Sequence, residues 1–146
     1  MKSVERSAQR RAFLDSAGFL ALVNPHDRYH QEARGLWAGL TNKRWRTFTT
    51  NFVVAETHAL FLARLGQVSA TAFLREMEQS STTVIRVSPR NEERARWIIY
   101  RYDDRDFSFT DATSFAMMEQ LNIPYAFTFD RHFAQYGLTP LTPDRL

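Results

Sequence analysis

The sequence contains no cysteine. Disulfide frameworks and thiolate metal centres are thereby excluded, and the lack fits a reducing cytosol. Glycine is scarce, five residues among 146, and no two stand together. A glycine-rich phosphate loop is absent, which argues against a nucleotide-binding Rossmann protein. No apolar run approaches the roughly 18 residues that a membrane-crossing helix needs. Lys2, Arg6, Arg10 and Arg11 look like the start of a secretory signal, but Asp15 and Gly18 interrupt the apolar stretch behind them. The chain is read as cytoplasmic, with no membrane association. A strong excess of one charge is missing too: the formal net charge of +3 permits a polyanionic partner without demanding one. Internal repeats, low-complexity tracts and linkers are also lacking.

What is present is the composition of a packed globular domain, 44% hydrophobic and 24% charged, with twelve phenylalanines. Residues 1–10 are read as a loose basic extension and residues 11–146 as one domain. Runs at 12–15, 46–50, 83–87 and 125–129 are apolar, β-branched or aromatic and bounded by polar residues or proline, which predicts strands. Residues 138–141 form an edge strand, since Pro140 cannot donate to a central ladder. Between them, apolar residues at helical spacing predict helices over 16–23, 26–40, 52–65 (capped by Asn51 and closed by Gly66), 69–79, 90–101, 107–121 and 130–136. Strands that alternate with helices and lack polar alternation imply an α/β domain. Its parallel sheet of four to five strands is flanked by helices in a three-layer arrangement.

Four acids fall where such a sheet binds ligands, outside the carboxyl ends of its strands. Asp15 closes the first strand and Asp130 follows the fourth. Glu56 lies in the second turn of the helix after the second strand, with Phe52, Val53, Ala59 and Leu60 as its helical neighbours. A carboxylate on that apolar face needs a proton, a cation or a base such as Arg64. Asp111 shares a helix face with Phe115 and Met118, which places it at the rim of a core. Each acid also has a structural explanation: Asp15 and Asp130 as helix caps, and Ser108-x-x-Asp111 as a capping box. Spacing leaves both readings open. Together, the four suit a hard divalent cation of the Mg2+ type, the chemistry of phosphodiester hydrolysis.

Four ordered motifs, Phe13-Leu14-Asp15-Ser16-Ala17, residues 49–57 around Glu56, residues 106–112 ending in Asp111-Ala112, and residues 127–133 around Asp130, resemble those of PIN-domain proteins. The resemblance spans nearly the whole chain. It implies a Rossmann-like fold and Mg2+- or Mn2+-dependent endoribonuclease activity, with Asp15, Glu56, Asp111 and Asp130 as the catalytic, metal-binding acids. Thr128 matches a small hydroxyl residue before the fourth acid that orients water or a ligand. The size is similar to that of VapC-type toxins, which implies an RNA substrate, a cognate antitoxin and a homodimer. The alternatives are an RNA-processing nuclease that is not a toxin and a catalytically silent binding module for RNA or protein.

Lesser signals remain. Arg131, beside Asp130, is placed to meet a phosphate or to pair with an acid. His26-x-x-x-His30 has the spacing of a zinc helix but no third ligand, and is read as a solvated or packed pair. No Lys follows the fourth strand, against a phosphoacceptor receiver domain. Lys43-Arg44-Trp45-Arg46 is read as a solvated loop, with contact to an RNA backbone as the other possibility. Residues 60–65, with Phe73 and Leu74, are apolar on more than one face, which suits either a partner surface or the core.

Overall fold

The structure, a computed structural model, describes residues 10–146. Apart from Arg10, the extension expected over residues 1–10 lies outside the described residues. Five short strands, β1 (Arg11–Leu14), β2 (Arg46–Thr50), β3 (Thr83–Ile85), β4 (Tyr125–Phe127) and β5 (Thr139–Pro140), form one parallel sheet in the order β3-β2-β1-β4-β5. They alternate with α1 (Ser16–Val23), α2 (His30–Asn42), α3 (Asn51–Arg64), α4 (Gln67–Gln79), α5 (Pro89–Arg101), α6 (Phe109–Leu121) and α7 (Arg131–Tyr136). This is the helix-flanked α/β sheet that the sequence pattern predicts. Ala12, Phe13, Leu14, Ala126 and Phe127 have no exposed surface, because the central strands of a parallel sheet are covered on both faces.

Gly18 sets how closely α1 lies on the sheet. A Cβ there would fall 2.4 Å from the Phe127 carbonyl oxygen, so only glycine allows this approach. The same packing lets the Asp15 N–H donate to that carbonyl at 3.2 Å. The start of α1 is thus tied to the end of β4.

Several boundaries differ from the sequence expectation, each for a local reason. The second helix starts at His30 rather than residue 26. Asn24 and Asp27 accept the N–H groups of His26 and Tyr29 on their side chains, and such turns compete with helix. Thr50, not Asn51, caps α3 by accepting the Val53 N–H. Asn51 instead accepts the Val87 N–H, which ends β3 at Ile85 rather than residue 87. β4 stops at Phe127 rather than residue 129, because the Asp130 N–H turns to the Thr128 hydroxyl.

Candidate active site

The chain leaves β1 toward β2 on one side of the sheet, while β4 lies on the other. The crevice beyond this switch point is where an open α/β sheet binds ligands. Asp15 stands at the end of β1 as the N-cap of α1, accepting the Ala17 N–H on Oδ2 at 3.4 Å. The same oxygen accepts the Thr128 hydroxyl at 2.8 Å. That hydroxyl in turn receives the Asp130 N–H at 3.0 Å, so Thr128 links the first acid to the backbone of the fourth. Glu56 projects from α3 and accepts the Ser16 hydroxyl on Oε2 at 2.7 Å; Ser16, not Arg64, is its partner.

Asp111 closes a capping box at the start of α6: its Oδ2 accepts the Ser108 N–H at 3.2 Å, and Ser108 Oγ accepts the Asp111 N–H at 2.9 Å. Asp130 caps α7, accepting the His132 N–H on Oδ1 at 2.9 Å. The capping explanations therefore hold for three of the acids. They do not compete with convergence, because a cap uses one carboxylate oxygen and leaves the other available.

Like charge and burial act together on these groups. Burial pushes the Asp15 carboxyl up to about 7; Asp111 and Glu56 push the same way, against the Thr128 hydrogen bond. Glu56 is also raised, chiefly by burial and further by Asp111 and Asp130, with the Ser16 hydroxyl opposing. Asp111 is raised by burial and by Asp130, against its bond from the Ser108 N–H and the nearby His132. The first, second and fourth acids all act on Asp111 or feel it, so the four share one electrostatic neighbourhood.

His132 is the residue that sequence reasoning missed. Its Nδ1 lies 3.1 Å from Asp111 Oδ2 and 3.2 Å from Asp130 Oδ1. One ligand atom each of Asp111, Asp130 and His132 lie within 4.8 Å of one another. Asp15 and Glu56 stand outside this compact trio. The signal was present as Asp-x-His at a helix start, where the residue two after the cap lies near the cap's side chain. Arg131, between them in sequence, is exposed and makes no ion pair among the described residues. The separate His pair forms no site: His30 Nδ1 donates to the Ala21 carbonyl at 2.8 Å, and His26 is exposed.

The donor set fits a hard cation. In each acid one oxygen takes the protein's hydrogen bonds: Oδ2 of Asp15 and Asp111, Oε2 of Glu56 and Oδ1 of Asp130. In Glu56, Asp111 and Asp130 the other receives none from a described residue, while the Asp15 carboxylate also takes the Ser16 N–H. Carboxylate oxygens are the ligands Mg2+ and Mn2+ prefer, and the raised proton affinities of Asp15, Glu56 and Asp111 mark a pocket that needs positive charge. A divalent ion bound there would neutralise the carboxylates and supply Lewis acidity toward a phosphodiester. Thr128, Ser16 and Ser108 hold the Asp15, Glu56 and Asp111 carboxylates by hydrogen bonds and would serve as outer-shell partners to such an ion.

The PIN domain profile matches residues 12–138. A protein from two strains of Mycobacterium tuberculosis, described as the 23S rRNA-specific endonuclease VapC20, is 35% identical over 133 residues, 90% of this chain and 98% of its own. The crystal structure of M. tuberculosis VapC20, described as a sarcin-ricin loop cleaving toxin, superposes with a TM-score of 0.83 over 90% of this chain and 99% of that one. With four ordered acids at the switch point and this likeness across nine-tenths of its length, the chain belongs to the PIN-domain family.

Proposed function

We propose that the protein is a divalent-metal-dependent endoribonuclease and the toxin of a toxin–antitoxin pair, acting in the cytoplasm on RNA. The observation that carries this reading is the set of four carboxylates, Asp15, Glu56, Asp111 and Asp130, each anchored by the protein and together sharing one electrostatic neighbourhood. Mg2+ or Mn2+ is the assigned cofactor. His132 holds Asp111 and Asp130 in register, and Arg131 meets a substrate phosphate from the start of α7. The 35% identical relative described as specific for 23S rRNA makes ribosomal RNA the first substrate to try.

A cognate antitoxin and a second copy of the chain are the assigned protein partners. Apolar surface beside the core supports this: Phe61 and Phe73 are buried, but Leu62 is 49% exposed and Val68 85%. An apolar groove lined by Leu22, Val23, Trp37, Phe73 and Met77 lies next to them.

Incubation with total RNA and Mg2+, followed by mapping of the cleaved ends, tests the activity. Cleavage at a small set of positions is expected, lost in EDTA and reduced by at least about 100-fold in Asp111→Asn. The asparagine oxygen can still close the capping box, so that variant should melt near the wild-type temperature. Cleavage that survives EDTA, or full activity in Asp111→Asn, would contradict the proposal. Absence of both cleavage and Mn2+ binding would identify a silent binding module instead.

A further inference from the structure

The loop from α2 into β2 lies at the sheet edge opposite the acids. Lys43-Arg44-Trp45-Arg46 turns there by placing Arg44 in the left-handed region at φ 54°. The Arg44 N–H goes to the Thr41 carbonyl at 3.2 Å, and the Trp45 N–H reaches back to Leu40 at 3.0 Å. This helix-ending geometry favours glycine, so arginine sits here at a cost glycine would not incur. Trp45 is buried, with its ring 5.7 Å from that of Tyr125, and anchors the loop between its two arginines. The solvated-loop expectation therefore holds for Lys43, Arg44 and Arg46, all exposed, but not for Trp45.

The neighbouring strand adds to the charge. Arg46 pairs in the ladder with Arg11, and its N–H donates to the Arg10 carbonyl at 2.9 Å. Arg10, Lys43, Arg44 and Arg46 are thus gathered at one exposed edge, and none forms an ion pair among the described residues. The negative end of the α2 dipole explains a cation at 43 or 44. It does not explain Arg46 and Arg10, which stand at strand starts.

We infer that this basic edge is a second contact for RNA, gripping the phosphate backbone at a distance from the cleavage pocket. β1 separates the two sites by about 13 Å of extended chain. Long structured RNA reaches both, whereas a dinucleotide in the pocket does not. The inference rests on the ribonuclease reading for the identity of the polyanion.

Fluorescence anisotropy in EDTA, which prevents cleavage, tests it with two labelled probes. One is a ribosomal RNA hairpin of about 30 nucleotides and the other a diribonucleotide, about 2 nucleotides long. The double variant Arg44→Glu/Arg46→Glu should weaken hairpin binding at least about 10-fold at low salt and lower the slope of log affinity against log salt by about 2. The short probe should change by less than about 2-fold. Arg44→Gly is the companion: it should melt at or above the wild-type temperature yet bind the hairpin more weakly. Unchanged hairpin affinity and slope in these variants overturn the inference, as does an equal loss on both probes, which would assign the arginines to the pocket itself. A destabilised Arg44→Gly with normal binding would make the residue a helix cap only and also overturn it. If the wild type binds no hairpin in EDTA, or binds it and the variants match it, the second contact fails; the ribonuclease reading is judged separately, by Mg2+-dependent cleavage of total RNA.

Discussion

Asp15 is the residue on which burial acts most plainly. Its carboxyl is raised from 3.8 to about 7. Between those values the folded state holds a proton that the unfolded chain has released, so stability falls as pH rises across that window and levels off above it. Asp15→Asn keeps an oxygen for the Thr128 hydroxyl and the Ala17 N–H but carries no charge. In EDTA at pH 8 it should be more stable than the wild type by on the order of 2 kcal/mol, and the gain should vanish by pH 4. Urea denaturation at the two pH values measures this; equal stabilities at pH 8 would show that Asp15 ionises without cost. The sequence singles out Asp15 and Asp130 at strand ends, Glu56 on an apolar helix face and Asp111 at the rim of a core, and the structure gives the four one electrostatic neighbourhood. For His132 only the contact with Asp130 had a local signal, Asp-x-His; its contact with Asp111 depends on α6 arriving beside α7, which no local pattern encodes. Thr128 was legible as a position, but its link from Asp15 to Asp130 appears only when β1 and β4 pair.

The element that fixes the pocket is α1. Its Gly18 lies against β4, and its first residues carry the Asp15 and Ser16 side chains to Thr128 and Glu56. Gly18→Ala must push the helix off the Phe127 carbonyl. The expected loss is about 2 kcal/mol in urea denaturation, with a fall in Mn2+ affinity because the Asp15–Thr128 bond lengthens. A variant with wild-type stability and affinity would show that α1 can shift without disturbing the acids. Element identity was readable from apolar spacing, but ends were set by side chains that take backbone groups: Asn24 and Asp27 delay α2, and Asn51 shortens β3. Such contacts depend on which turn forms, so spacing alone placed these ends two to four residues away.

At the scale of the whole molecule, the sheet separates charge, with acids beyond the carboxyl ends of its strands and exposed cations (Arg10, Lys43, Arg44 and Arg46) around the starts of β1 and β2. The alternation of elements made the parallel sheet legible, and parallel strands are what send all four acids to one end. The central claim is that these acids form a single cation site. Calorimetric titration of Mn2+ into the metal-free protein tests it most directly, in buffers of different ionisation enthalpy at pH 6 and pH 8. Because Asp15 titrates near 7, binding should be tighter at pH 8, should release protons at pH 6, and should be lost in Asp15→Asn and Asp111→Asn alike. Mn2+ heat that is absent in the wild type, or that is indifferent to pH and to both substitutions, would contradict the account.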